Sequence, residues 1–134
     1  MPTIIDIEGI GGAIAKTLRA AGIRTTEALL KMGGTSKERR ELAEATKFSE
    51  QRILEWVNRA DLYRIKGVGS EYADLLEAAG VDTVLELARR DAENLYTKLN
   101  QVNIEKNLVN RMPGQGQVAG WIKQAKSLPR AVEY

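Results

Sequence analysis

Two stretches of the chain place apolar residues at helical spacing, and the second stretch repeats the first. Ile10, Ile14, Leu18 and Ala21 fall on one face of a helix, as do Val68, Tyr72, Leu75, Leu76 and Ala79. The segment IEGIGGAIAKTLRAAGI over 7–23 returns as IKGVGSEYADLLEAAGV over 65–81, displaced by 58 positions. Each copy opens on a Gly-hydrophobic-Gly turn, where glycine permits backbone conformations closed to other residues. Each closes on a glycine, Gly22 or Gly80, at the place where a C′ glycine ends a helix. The period of the pattern therefore predicts a turn followed by a helix, twice.

Further helices follow from polar caps and apolar faces. Thr25 and Thr83 stand as N-caps of short helices in TEALLKMG and VLELARR, and Thr83 with Glu86 fits a capping box. Thr35 with Glu38 fits another, ahead of a helix carrying Leu42, Ala43 and Ala45. Ser49 caps a stronger helix over 50–62 with an apolar face of Ile53, Leu54, Trp56, Val57 and Ala60. VAGWIKQAKSL lines up with ILEWVNRADL, placing Trp121 opposite Trp56 at an offset of 65. The seven extra positions lie around NQVNIEKNLVNRMPGQGQ, 100–117, where Pro113, Gly114 and Gly116 mark a loop, expected over 103–117. Both tryptophans read as core, because they recur on apolar faces and bury large area.

This organisation predicts an all-α fold of duplicated turn-and-helix units, with repeat one at about 4–62 and repeat two at about 63–134. The chain opens at a turn with no preceding helix and stops where a third turn would begin. The last helix, 117–127, is therefore expected beside the first turn as its missing partner, closing residues 1–134 into one pseudo-symmetric domain. The segments TIIDI and RAVEY are β-prone and are expected to pair as a short two-stranded ribbon that fastens the termini.

Composition removes several chemistries. The 134 residues contain no cysteine and no histidine, which excludes disulfides, Cys/His zinc sites and histidine general bases. Gly-Ile-Gly-Gly and GQGQ lack the strands and the Lys-Ser/Thr pair of a phosphate-binding loop, so no cofactor is expected. No Ser–Lys or carboxylate pair has catalytic spacing, and the protein is read as non-catalytic. Net charge is +2, from 20 Lys and Arg against 18 Asp and Glu, and neither half forms a basic arm. The start has no basic n-region and no stretch approaches about 20 apolar residues, so a cytoplasmic protein is expected.

The two turn segments resemble the helix-hairpin-helix family, whose pattern is hydrophobic-x-Gly-hydrophobic-Gly-x-x-x-Ala-x-x-Leu. Gly9, Ile10, Gly11, Ala15 and Leu18 match it, as do Gly67, Val68, Gly69, Ala73 and Leu76. Nearly the whole chain is also similar to an uncharacterised bacterial domain-of-unknown-function family. That family has two such hairpins, a WVNRADLYRIKGVG centre and a WIKQAKSLPRAVEY tail. The first resemblance implies DNA contact without base reading, made by hairpin amides on phosphate oxygens. The residues this puts forward are Gly9, Gly11, Gly12, Lys16 and Arg19 in the first copy and Lys66, Gly67, Gly69 and Ser70 in the second.

The charges of the two copies differ. Lys16 aligns with Asp74 and Arg19 with Glu77, while Glu8 precedes the first turn and Lys66 sits in the second. Relatives that grip DNA commonly carry Lys or Arg where this chain has Gly12 and Ser70, so the expected binding is weak and steeply salt-dependent. Glu71, Asp74 and Glu77, spaced by three, share one helix face and suit a basic protein partner. The alternative is thus a protein–protein or structural helical module with no nucleic-acid binding. The protein is expected as a monomer. Tyr63 and Tyr72, flanking the second turn, are candidates for surface contact. Lys37, Arg39 and Arg40, interleaved with Glu38, Glu41 and Glu44, read as a solvated helix.

Overall fold

Hydroxyl and carboxylate caps start most of the helices. In a computed structural model that describes residues 3–7 and 9–134, Thr25 Oγ1 accepts from the Ala28 amide, Ser49 Oγ from Arg52, and Asp91 Oδ2 from Asn94. Each such cap satisfies an amide that a helix start leaves open and is worth about 1 kcal/mol. The Thr35–Glu38 box closes in both directions. The one expected at Thr83 forms by half: Thr83 Oγ1 accepts from the Glu86 amide, while the Glu86 carboxylate pairs with Arg90 at 3.2 Å.

Among the described residues these starts give eight α-helices and no strand, so the chain is all-α. They are α1 (Gly12–Ala20), α2 (Thr26–Gly33), α3 (Ser36–Thr46), α4 (Glu50–Leu62), α5 (Ser70–Ala78), α6 (Val84–Ala88), α7 (Ala92–Lys106) and α8 (Gln115–Ser127). The loop expected over 103–117 is shorter, because α7 runs on to Lys106, where Asn107 ends it in the left-handed region at φ 49°. Asn103 then clamps the loop, its side-chain amide exchanging two hydrogen bonds with the Val109 peptide.

Helices α1 and α5 end alike. Gly22 and Gly80 both take φ +92°, and the next residue's amide reaches back to the helix, Ile23 to Leu18 O and Val81 to Leu76 O, each at 2.9 Å. This is a Schellman ending, and the apolar pair that accompanies it, Ile23 with Leu18 and Val81 with Leu76, is fully buried.

Contacts divide the chain into two units, Met1–Tyr63 with Arg130–Tyr134, and Arg64–Pro129. In the first, α2 packs on α3 and α4 over a core of Ile4, Ile10, Leu18, Leu29, Ile53 and Trp56, completed by Val132 from the C-terminal tail. In the second, α6 and α7 pack on α8, and α5 on α7. The helix that backs the first turn is α4: Trp56 faces Gly9, while Trp121 of α8 faces Gly67. A turn and the tryptophan helix downstream of it form each unit, and the longer connection in the second, which contains α7, still returns α8 to its own turn.

The expected ribbon of termini does not form. Residues Ile4–Asp6 make a 3-10 turn, and Thr3 makes an isolated antiparallel bridge to Thr25. At the other end the Glu133 amide donates to Gly34 O at 2.7 Å. A lone two-stranded pair is marginal in water, and each terminal segment instead satisfies its backbone on a different loop of the first unit.

Candidate nucleic-acid interface

The two glycines of each turn do different work. At the first turn the Ile10 amide donates to Ile7 O at 3.1 Å, and at the second the Val68 amide donates to Ile65 O at 3.2 Å. Gly9 at φ +92° and Gly67 at φ +95° occupy the third position of these four-residue turns, where a type II turn requires positive φ. The flanking Ile7, Ile10, Ile65 and Val68 are all buried, so each turn is pinned by two apolar anchors and lifts its central glycine into solvent.

Gly11 and Gly69 are N-caps of α1 and α5, with φ −88° and −101° and extended ψ. Any residue adopts that backbone. A Cβ built on Gly11, Gly12 or Gly69 meets nothing within 4 Å. Neither helix start has a side-chain cap, whereas Thr25, Thr35, Ser49, Thr83 and Asp91 cap α2, α3, α4, α6 and α7. Packing and dihedral angles thus explain Gly9 and Gly67 but not Gly11, Gly12 and Gly69. What their absent side chains leave is clear access to the first-turn amides at the positive end of a helix dipole, a geometry that suits an anion.

Of the charged candidates, Lys16, Arg19 and Lys66 are exposed. Lys16 follows Gly12 by one helical turn, its Cα–Cβ bond tilted toward the helix N-terminus as in any α-helix; Arg19 stands about 10 Å along the axis from Gly12. In the second unit the Lys66 peptide is gripped by Gln124 of α8: its N–H donates to Oε1 at 2.9 Å and its carbonyl accepts from Nε2 at 3.2 Å. The Lys66 amide is therefore already used, and the available donors begin at Gly67. Ser70 is half-buried at the first position of α5. Glu71 and Glu77 are exposed on the same helix and Asp74 is half-buried. Glu8, read as an acidic residue at the first turn, lies outside the described residues.

Two expectations change. Tyr63 and Tyr72 turn their hydroxyls onto the protein itself, donating to Asp6 O at 2.8 Å and to Arg111 O at 3.0 Å, and the Tyr72 ring packs on Trp121 with centroids 5.3 Å apart. Arg39 is 5% exposed rather than solvated. Sequence reasoning also passed over Arg52. Its guanidinium carbon lies 5.1 Å from the Trp56 ring centroid, which puts a cation on the tryptophan that backs the first turn. Its position four residues before Trp56, matching Gln117 before Trp121, was the available signal.

An open groove of about 330 Å³ in the first unit, lined by Ala21, Met32, Glu38, Glu41, Leu42 and Ala45, is separate from the turn and carries carboxylates, one of which is spent on the Thr35 capping box. No helix among the described residues is long and apolar enough to cross a membrane. No curated protein and no solved structure matches the chain. A family model does, the one described as Domain of unknown function (DUF4332), over residues 8–128, and the chain, with both glycine turns and both tryptophan helices inside that span, belongs to this family.

Proposed function

We propose that this protein is a non-catalytic helix-hairpin-helix module that holds nucleic-acid phosphates, DNA in the first place, on main-chain amides of the segments 9–12 and 67–70, those of Ile10 and Val68 being spent inside their own turns. It works as a cytoplasmic monomer. Contact is independent of base sequence, because amide-to-phosphate bonds position a duplex without reading it. Lys16, Arg19 and Lys66 add charge. The observation that carries this reading is the pair of N-cap glycines, Gly11 and Gly69, which sit in ordinary backbone conformations with open space where a side chain would go. A serine or aspartate at either place would stabilise the helix. Glycine forgoes that and leaves the amides to a ligand.

Binding to a random-sequence duplex is therefore expected at low salt, with log K falling linearly in log salt. The charge-reversed Lys16→Glu/Lys66→Glu protein should bind more weakly at every salt concentration, with a slope shallower by about two, since each phosphate neutralised contributes about 0.9. Absence of binding by the wild type at low ionic strength, or equal binding by the double variant, would remove the proposal. A second pair of substitutions separates ligand from fold. Gly11→Asp/Gly69→Asp should keep or raise thermal stability by a few tenths of a kcal/mol through capping. The same carboxylates would occupy the amides and repel phosphate, so duplex binding should be lost.

One observation favours a second reading. Glu71, Asp74 and Glu77 follow the second turn at intervals of three, and a phosphate near that face meets negative charge. A helical module whose α5 meets a basic protein partner, with no nucleic-acid contact, accounts for them. The duplex titration decides between the two.

A further inference from the structure

Each turn is backed by an indole whose ring is buried and whose nitrogen is unclaimed among the described residues. Trp56 is 5% exposed and Trp121 is 2% exposed. The heavy atom nearest to a Cβ placed on Gly67 is Trp121 Nε1, at 3.1 Å, and for Gly9 it is Trp56 Nε1, at 3.9 Å. The indole edge that carries the N–H is thus the edge turned to the glycine in both units. Neither nitrogen has a hydrogen-bond acceptor among the described residues, and neither is sealed inside its unit as an orphaned donor. Buried tryptophans ordinarily place this N–H on a protein acceptor. Two equivalent tryptophans that keep it open, both at a glycine lifted into solvent, is a pattern that core packing does not require.

We infer that the Trp56 and Trp121 indole N–H groups are side-chain donors to the phosphate oxygen held at their turns. The inference rests on the phosphate reading above and adds to it. Main-chain amides at the start of α1 and α5 supply one half of each site, and the tryptophan of the helix packed behind the turn supplies the other. The residue four positions earlier on that helix distinguishes the units. In the first it is Arg52, whose guanidinium stacks on the Trp56 ring. In the second it is Gln117, whose Nε2 lies 4.0 Å from the same point on Gly67 that Trp121 Nε1 approaches. A cation stacked on the first indole, against a neutral amide beside the second, makes the first turn the tighter phosphate site.

With two tryptophans in the chain, a ¹H–¹⁵N spectrum of the whole protein carries two indole resonances. Replacing one tryptophan at a time by 3-benzothienylalanine, which puts sulfur in place of N–H in a ring of the same shape, deletes one resonance and assigns it. Titration with a 12-base-pair duplex should shift both indole resonances together with the turn amides of Gly11, Gly12, Gly69 and Ser70, that of Trp56 at the lower duplex concentration. Each benzothienylalanine protein should melt as the parent does and bind the duplex roughly tenfold more weakly, the size of a hydrogen bond to a charged group. If the turn amides shift while both indoles stay still, or if the analogues bind like the parent, the indole role is wrong and the phosphate reading survives. If nothing at the turns moves, both are wrong.

Discussion

Arg39→Met is expected to destabilise the protein by about 2–4 kcal/mol, the cost of leaving one buried and one part-buried carbonyl without a donor, at about 1–3 kcal/mol for the buried one and the low end of that range for the other. Arg39 is 5% exposed, and its guanidinium donates from Nη1 to Gly33 O at 2.9 Å and from Nη2 to Glu133 O at 2.6 Å. One side chain therefore joins the end of α2 to a tail residue 94 positions beyond Arg39 itself. Methionine restores the length and apolar bulk but neither bond. Against a typical total stability of about 5–15 kcal/mol this is a large fraction. The neighbouring Arg40 is exposed, and Arg40→Met should stay within about 0.5 kcal/mol. Urea unfolding followed by circular dichroism measures both, and equal costs would refute the role given to Arg39. Removing residues 130–134 supplies a cross-check. That deletion takes away Glu133 and the buried Val132, so Arg39→Met should cost less in the shortened chain than in the full one.

Within one Gly-Val-Gly turn, alanine should be costly at the first glycine and harmless at the second. Gly67→Ala forces a side chain onto a backbone at φ +95° and places its Cβ 3.1 Å from Trp121 Nε1, so a loss of about 2–3 kcal/mol is expected. Gly9→Ala carries similar strain at φ +92° but meets Trp56 Nε1 at 3.9 Å, ordinary contact, and should cost about 1–2 kcal/mol. At Gly69 the backbone is extended and the space is open, and Gly69→Ala should fall within about 0.5 kcal/mol of the parent. Thermal melts rank the three. A Gly69→Ala protein as unstable as Gly67→Ala would mean that the second glycine is structural, and the main support for phosphate contact would go with it.

The turns and helix ends of the candidate site are largely legible in the sequence, for a specific reason. A type II turn, an N-cap and a Schellman ending each involve residues within six positions of one another, so Gly9, Gly11, Gly22 and their copies announce themselves in the chain. The caps at Thr25, Thr35, Ser49 and Asp91 obey the same short range, although Asp91 and the helix it starts were not read. What could not be seen was the difference between glycines. All those in the two turns look alike as letters, and only a backbone angle and the distance to an indole separate Gly67 from Gly69.

Chain-local chemistry was enough to determine that this protein is an all-α chain and to place most of its helix caps, because hydrogen bonds between near neighbours depend on few residues. The tertiary structure alone decided which helix backs which turn, that α4 serves Gly9 and α8 serves Gly67. It alone decided that Gly33 and Gly34 are glycines for closeness, a Cβ on them coming within 2.7 Å of Val57 Cγ2 and 2.9 Å of Ala131 O. It also turned Arg39 from a surface charge into a buried clasp on the tail. Those choices depend on where the chain returns after tens of residues, and packing volume, not local pattern, settles that return.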